Sequence, residues 1–313
     1  MSNGRCVSVV VVSYEVRDLL RRCLATVAAQ RDVEVEVWVV DNASRDGSAD
    51  MVAAEFPGVR LIRNQVNLGF ARANNQALAL AQGDWLLLLN PDTELPSGAL
   101  GTLVGVFDRH PGAGAAGLAL VNPDGSPQPS CHAFPGVVNM TLESLGLRHV
   151  ALKFGYGTPA EAPAPRGGEG EVDWVAGACL CLSRAAYSAV GGLEERLFMY
   201  GEEPDWCWRA RCAGFATVWS EAARVLHHGG ASGEGLRGKL FVKNLEARLT
   251  FLRSHRSAWR ATLAREVMTL GALGRLLLWQ GRAVLEGGQR DARTRVQLER
   301  FRAVLAWRLG RQP

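Results

Sequence analysis

Apolar and polar positions switch pattern repeatedly along the first 120 residues. Residues 7–12 are valine at every position but Ser8, a β-branched run that is the signature of a strand buried on both faces. Residues 18–29 change to helical spacing, with Leu19, Leu20, Cys23 and Val27 on one side. The pattern then predicts a strand at 35–40, a short helix at 49–56 stopped by Pro57-Gly58, and a strand at 59–63. An Ala-rich helix at 71–82 closed by Gly83 and a strand at 85–89 cut off by Asn90-Pro91 come next. A helix at 97–110 and a strand at 115–121 complete this part. Such alternation predicts an α/β fold with a mostly parallel central sheet, whose ligands gather at the carboxyl ends of the strands.

Four successive strand ends are polar. They are Ser13-Tyr14-Glu15, Asp41-Asn42-Ala43-Ser44, residues 64–67, and Asn90-Pro91-Asp92. Together they predict one lined cleft. Residues 122–170 read as irregular and rich in Pro and Gly, with 160–170 as a mobile loop or lid margin. Order returns at 172–182, a helix is expected at 184–190 before Gly191-Gly192, another at 204–213, and a strand at 216–220. From Lys239 the pattern is helical to the end, with breaks expected near Gly271 and Gly287-Gly288.

Length allows one large α/β domain with an appendage, or two domains, and 48% apolar with 21% charged residues allows a sizeable core. No opening segment combines a basic flank, an apolar stretch and a small-residue cleavage site, so a cytoplasmic chain is expected. Seven scattered cysteines fit reduced thiols, and Cys179 and Cys181 read as small buried residues of a strand. The sequons at Asn42 and Asn139 carry no meaning without secretion. The net charge of +4 hides an asymmetry. Residues 236–313 hold 17 Lys/Arg and 5 Asp/Glu, a balance of +12, leaving 18 and 26, or −8, for residues 1–235. A basic tail points to an anionic surface.

One motif misleads. Residues 112–117 (G-A-G-A-A-G) match the dinucleotide fingerprint, but a helix precedes them and a strand follows, the reverse of what that motif needs. These glycines read as a helix stop and tight packing.

Several side chains can carry chemistry. Asp92, just past a buried strand and stiffened by Pro91, can hold Mg²⁺ or Mn²⁺, or form an Asx turn or N-cap. Asp41 can accept a hydrogen bond from a nucleobase imide, while Asp46-Gly47 reads as a turn and Ser48 as a helix cap. Glu202, Glu203 and Asp205 repel one another unless a cation, a proton or solvent intervenes, and a Glu whose pKa is raised is an ordinary general base. Asp205 and Arg209 are spaced to pair on a helix that Pro204 opens. Of His227 and His228, one can ligate metal while the other packs.

These pieces resemble the family 2 glycosyltransferases, in particular their bacterial rhamnosyltransferase-like branch. The resemblance rests on V-V-V-V-S-Y-E at 9–15, V-V-D-N-A-S-R-D-G-S at 39–48, N-L-G-F-A-R-A-N-N at 67–75 and L-L-N-P-D-T at 88–93. It continues in W-V-A-G-A at 174–178, F-M-Y-G-E-E-P-D-W-C-W-R at 198–209 and V-L-H-H-G-G-A-S at 225–232. It implies a GT-A (Rossmann-like) domain over residues 1–235, with a nucleotide-binding half at 1–121 and an acceptor half at 122–235. Residues 236–313 would be a basic helical C-terminal extension.

The resemblance also implies roles. Ser13, Tyr14 and Asp41 would hold the nucleoside, and Asn67, Gly69, Phe70 and Asn74 would line the donor site. Asn90 replaces the first carboxylate of the family's metal motif, and Asp92 is its last. Trp174 and Gly177 would flank the acceptor, and His227 would join Asp92 on the divalent cation. Glu203 stands where the family places its catalytic carboxylate, commonly an Asp, so Glu203 and Glu202 are the alternatives for the base. The implied reaction is inverting transfer from a nucleoside diphosphate sugar, with dTDP-rhamnose as first choice, to a glycan or lipid-linked acceptor. The alternative is a catalytically impaired nucleotide-sugar-binding module. For the tail, peripheral contact with the inner face of a membrane, a helical cap and a homodimer surface are the three readings, and no nucleic-acid partner is expected.

Overall fold

The computed structural model describes residues 5–229, 237–285 and 292–310. The expected alternation is present as β1 (Cys6–Ser13), α1 (Arg17–Ala28), β2 (Glu34–Asp41), α2 (Ser48–Glu55), β3 (Arg60–Arg63), α3 (Phe70–Leu78) and β4 (Trp85–Leu89). Next come β5 (Thr93–Glu94), α4 (Ala99–Arg109), β6 (Ala113–Val121), β7 (Pro127–Gln128) and β8 (Cys131–His132). Val7, Val9 and Val11 of β1 share one core cluster with Leu20, Cys23, Leu24 and Val27 of α1 and with Leu100, Leu103 and Phe107 of α4. Val10 and Val12 are buried on the opposite face, where α3 packs against β1 and β2. A strand covered on both sides is apolar at successive positions, and its one internal polar residue, Ser8, is buried with its Oγ accepting the Gly83 N–H.

The helix expected to reach Gln82 stops at Leu78. The backbone N–H of Gln82 donates to Glu36 Oε2 at 2.9 Å and that of Gly83 to Ser8 Oγ at 2.8 Å. Tertiary acceptors thus take donors that another helical turn would have used.

Residues 122–170 are less irregular than expected. Besides β7 and β8 they hold α5 (Val137–Ser144), α6 (Arg148–Lys153) and the start of β9 (Glu169–Val172). β10 (Trp174–Val175), β11 (Cys179–Ser183), α7 (Arg184–Val190), α8 (Glu202–Cys212) and β12 (Ala216–His227) follow, then α9 (Arg237–His255), α10 (Ala258–Leu285) and α11 (Ala292–Arg308). α10 runs through Gly271 without the expected break. That glycine marks a close approach instead, since a Cβ there would sit 1.7 Å from Ser144 Oγ. Gly287-Gly288 lies outside the described residues.

The main sheet has the order β3-β2-β1-β4-β11-β6-β12-β5. It is parallel from β3 to β4, as the alternation implies. β11 then enters antiparallel between β4 and β6, so the sheet is mixed beyond β4. Residues 113–117 lie inside β6, and Gly114 and Gly117 are packing sites. A Cβ on Gly114 would meet Phe215 at 2.6 Å, and one on Gly117 would meet Val175 at 2.8 Å. Cys179 and Cys181 are core residues of β11, and burial raises the Cys179 thiol pKa to about 12.

Two compact units result. One comprises Met1–Phe134 and Ala160–Ser232, the other Pro135–Pro159 and Gly233–Pro313. Residues 135–159, placed by the sequence reading in the acceptor half, group with the C-terminal helices. Met140 of α5 is buried among Leu249, Leu252, Ala261 and Ala264 of α9 and α10, so this short helix depends on theirs for a core.

Candidate active site

The strand ends converge as their polarity suggests. Ser13 and Asp41 are register partners at the tips of β1 and β2, so their side chains share a face. Both are buried, and the Ser13 Oγ and Asp41 Oδ1 atoms have no hydrogen-bond partner among the described residues. Asp41 Oδ2 accepts the Ser44 N–H at 3.1 Å. Burial raises the Asp41 pKa even against the bonds from Ser44. A buried polar atom left unpaired costs about 1–3 kcal/mol. Two such atoms, on register partners of adjacent strands, are open to a ligand that carries N–H or O–H groups. Tyr14, next in the chain, is exposed.

The loops beyond these strands are laced together. Glu15 N–H donates to Ser44 Oγ at 3.1 Å, and Arg45 N–H donates to Glu15 Oε1 at 3.0 Å. Glu15 and Ala43 hold φ values of 55° and 69°, and Tyr200 of 71°. These three are the described non-glycine residues in that left-handed region, and all lie in loops of this site. Ser48 does not cap α2 as expected, because it is already helical and Gly47 precedes it with φ 82°. Asp46 does the capping, accepting the Ser48 N–H at 3.0 Å and the Arg17 N–H at 2.7 Å.

Asn42 organises the next loop. Its Oδ1 accepts from Leu68 N–H at 3.0 Å and from Asn64 at 3.2 Å, and its Nδ2 donates to Asn67 Oδ1 at 2.8 Å. Asn67 Oδ1 also accepts the Gly69 N–H at 2.9 Å, so that oxygen is taken by the protein itself. Phe70 N–H donates to Phe198 O at 2.9 Å, and a Cβ on Gly69 would lie 2.4 Å from the same oxygen. Gly69 therefore lets the donor-side loop dock on residues 198–200. Asn74 is only 1% exposed and donates to Phe70 O at 2.9 Å, which places it beneath this loop rather than on an open wall.

The antiparallel pairing of β5 with β12 sets His227 opposite Thr93, and His228 N–H donates to Asp92 O at 2.9 Å. This brings His227 Nε2 to 3.3 Å from Asp92 Oδ1. His227 Nδ1 faces Gln128 Oε1 at 2.6 Å, and Gln128 Nε2 donates to Asn122 Oδ1 at 2.9 Å, which fixes the orientation of that amide. The proton of a neutral imidazole is thus called to Nδ1. Its Nε2 lone pair then faces the Asp92 carboxylate and Asn90 Nδ2, the latter at 3.3 Å. Two electron-rich atoms face each other, an arrangement a cation relieves. One nitrogen and one oxygen donor suit Mn²⁺ or Mg²⁺. No group of three or more His, Cys, Asp or Glu side chains is placed to hold a metal ion among the described residues, so the remaining ligands would come from substrate phosphate or water. When Nε2 instead carries a proton, its hydrogen bond and positive charge take the place of the cation, and against the effect of burial they bring the Asp92 pKa below the ordinary range. His228 takes the packing role, bonded to Glu94 at 2.8 Å.

α8 begins earlier than expected. Glu202 and Glu203, not Pro204, open it, after Gly201 with φ 93°. Its first-turn N–H groups favour nearby negative charge, but burial outweighs them. Glu202 is 3% exposed, and its Oε2 lacks a partner. Burial and then the neighbouring Glu203 push its pKa well above the ordinary range. Glu203 keeps partial exposure, accepts the Gly177 N–H at 3.1 Å, and has its pKa raised by burial. A Cβ on Gly177 would lie 2.5 Å from Glu203 Oε1, so glycine there leaves room for the carboxylate. Asp205 is tied to Arg209 at 2.9 Å, as its spacing implies. Trp174 stacks on His132 with centroids 4.1 Å apart and donates to Ala133 O at 3.0 Å.

One chain of contacts joins Glu203 to the His227–Asp92 pair. Glu203 holds Gly177, Asn90 N–H donates to Ala178 O at 3.1 Å, and the Asn90 side chain meets His227. Among the functional groups, sequence reasoning missed Gln128 and the connecting role of Asn42. Asn42 had a signal, a polar residue immediately after a strand. Gln128 had none, because it lies in the Pro/Gly-rich stretch.

A mixed α/β sheet with flanking helices and a polar cleft at its strand ends is the architecture of GT-A glycosyltransferases. The chain belongs to glycosyl transferase family 2, whose family model matches residues 8–151. It is 31% identical over 267 residues to the N-acetylglucosaminyl-diphospho-decaprenol L-rhamnosyltransferase of Mycobacterium tuberculosis, covering 82% of this chain and 87% of that protein. Among solved structures it resembles a mannosyltransferase from Pyrobaculum calidifontis in complex with GDP-Man and Mn²⁺, with TM-score 0.61, 17% identity, and coverage of 98% of this chain and 87% of that one. It also resembles GalNAc-T7 with UDP, GalNAc and Mn²⁺, with TM-score 0.57, 15% identity, and coverage of 81% and 48%. These two likenesses speak to the fold.

Proposed function

We infer that this glycosyltransferase moves a sugar from a nucleoside diphosphate donor to a glycan or lipid-linked acceptor with inversion, in cell-wall or polysaccharide synthesis. L-Rhamnose from dTDP-rhamnose is the first donor to test, supported by the name of the mycobacterial relative. The observation that carries the mechanism is the link from Glu203 through Gly177, Ala178 and Asn90 to the His227–Asp92 pair.

Ser13 Oγ and Asp41 Oδ1 bind the nucleoside, with Tyr14 beside them and the loop of Asn67, Gly69 and Phe70 shaping the donor side. Asp92 and His227 would hold a divalent cation, which when bound neutralises charge on the diphosphate. Trp174 and Gly177 border the acceptor. Glu203 takes the proton of the acceptor hydroxyl, whose oxygen forms the new bond to the anomeric carbon. The bond from that carbon to the diphosphate breaks on the opposite side, and the nucleoside diphosphate leaves. Glu203 is the base in preference to Glu202 because it reaches solvent. Its raised pKa strengthens it as a base once it is deprotonated.

Among the described residues no helix is long and apolar enough to cross a membrane. The basic C-terminal helices would hold the enzyme peripherally at the cytoplasmic face, near a lipid-linked acceptor. The test follows nucleoside diphosphate release from a panel of donors. Release that needs both acceptor and Mn²⁺ or Mg²⁺, and stops with chelator, is expected. Full turnover in excess EDTA removes the metal from the reading, and donor binding without any release makes the chain a binding module.

A further inference from the structure

We propose that a defined face of the second unit, formed by α10 and the turn between α5 and α6, docks on a bilayer containing anionic phospholipid. This goes further than a general role for the basic tail and rests on the reading that the enzyme works at a lipid surface.

α10 has two apolar faces. One is built into the core of its own unit, where Ala261, Ala264, Ala272 and Ala283 are buried and Met268, Leu276 and Trp279 pack. The other is open. Leu270 and Leu278 are 68% and 73% exposed, and Leu273 and Leu277 are exposed between them. Positions 270, 273, 277 and 278 fall on one side of a helix. Gly274 and Gly281 lie on the same side and add nothing polar. Nearer the helix start, Trp259 and Leu263 continue the same side beyond Glu266, whose carboxylate is ion-paired with Arg265 and Arg308.

A second segment widens it. Ser144 packs against Gly271, and a Cβ on Gly146 would lie 2.6 Å from the Arg275 guanidinium. The turn that carries exposed Leu145 and Leu147 therefore runs beside the open stretch of α10. Val150 and Phe154 follow, the latter 86% exposed. A run of large apolar side chains facing water marks a docking surface.

Charge selects the occupant. Lys153 beside Phe154, Arg260 beside Trp259 and Arg282 after Gly281 are all exposed. Residues 236–313 carry the +12 balance counted above. A second copy would bring the same positive excess against itself, since a two-fold interface juxtaposes identical patches. An anionic lipid surface neutralises that excess while its acyl region takes the leucines, and long basic side chains reach the headgroups.

The test is flotation of the full chain with phosphatidylcholine vesicles, with and without phosphatidylglycerol. Binding is expected with phosphatidylglycerol at low salt and should weaken as salt rises. Leu277→Glu/Leu278→Glu should lower binding about tenfold or more, because it sets charge where acyl chains must go. Leu309→Glu, at an exposed leucine outside the stripe, should leave binding unchanged. Arg260→Glu/Arg282→Glu should remove the preference for phosphatidylglycerol without touching the leucines. Unchanged melting temperatures show that the variants fold. Turnover with a water-soluble acceptor should match the unaltered enzyme in every variant, so loss of docking is separable from failure of the transferase reading. The proposal is overturned if the full chain stays unbound at low salt, or if Leu277→Glu/Leu278→Glu floats as well as the unaltered chain. It is also overturned if that variant alters only self-association in light scattering, which makes the face an interface between copies.

Discussion

The two units break the ordinary rules of folding in opposite ways. The first buries its central strands β1 and β4 but leaves polar atoms unpaired at two strand ends, Ser13 Oγ and Asp41 Oδ1, and at the start of α8, Glu202 Oε2. The second turns leucines of α10 and its neighbouring turn toward water. Paired polar atoms and hidden apolar ones are the default, so departures mark places a ligand completes. On the proposals above, the first set awaits hydrogen-bond and charge partners, whereas the second awaits an apolar medium.

The largest expected effect lies at the carboxylate that opens α8. Glu203→Gln keeps shape and removes the base, so turnover should fall about 10²–10⁴-fold, with donor affinity changed only a few-fold. Because burial raises the Glu203 pKa, turnover in the unaltered enzyme should climb with pH beyond the ordinary carboxylate range, as the base loses its proton. A flat profile there excludes a carboxylate of raised pKa as the base, whereas full turnover in Glu203→Gln with loss in Glu202→Gln moves the base to Glu202.

The next effect tests the contrast of surfaces directly. Leu103→Ala, in the core of the first unit, should cost about 2–5 kcal/mol in urea unfolding. Leu270→Ala, on the open stripe, should stay within about 0.5 kcal/mol. Equal losses would erase the contrast.

Smaller effects refine the polar side. Asp41→Asn should weaken nucleoside diphosphate binding by about 10–100-fold, the value of a hydrogen bond to a charged group; calorimetry that finds unchanged affinity excludes Asp41 from the donor site. Gln128→Leu frees the Nδ1 side of His227 and should lower Mn²⁺ affinity about tenfold or more, read by titration without substrate. Equal affinity would reduce Gln128 to packing.

The smallest effect concerns Glu202. Its pKa lies above the value it has when unfolded, so the folded state holds the extra proton and stability falls as pH rises through that interval. Glu202→Gln mimics the protonated form and should flatten that fall, leaving the variant relatively more stable at alkaline pH. Parallel melting curves for the two proteins across pH would contradict this.

Much of the first unit was legible because its signals are local. The run at 7–12, the polar strand ends and the spacing of Asp205 and Arg209 depend on near neighbours in the chain, and periodicity reports those directly. The short elements between 122 and 170 were hidden. α5 owes its stability to Met140 packing on α9 and α10, a partner that arrives about a hundred residues later. The end of α3 was misjudged for the same reason, since Glu36 and Ser8 claim the donors that follow it.

The sequence by itself determined which side chains could act. It supplied Asp41, Asp92, Glu202, Glu203 and His227, and it divided the charge between catalytic part and tail. Only the tertiary structure decided how they are used. The antiparallel pairing of β5 with β12 sets His227 against Asp92, and Gly177 holds Glu203 while Glu202 is buried beside it. The packing of α10 leaves one of its two apolar faces in water. The physical reason is range. Propensity and periodicity act over a few residues, whereas burial, pKa and the meeting of two donor atoms depend on which distant segments share a sheet edge or a core.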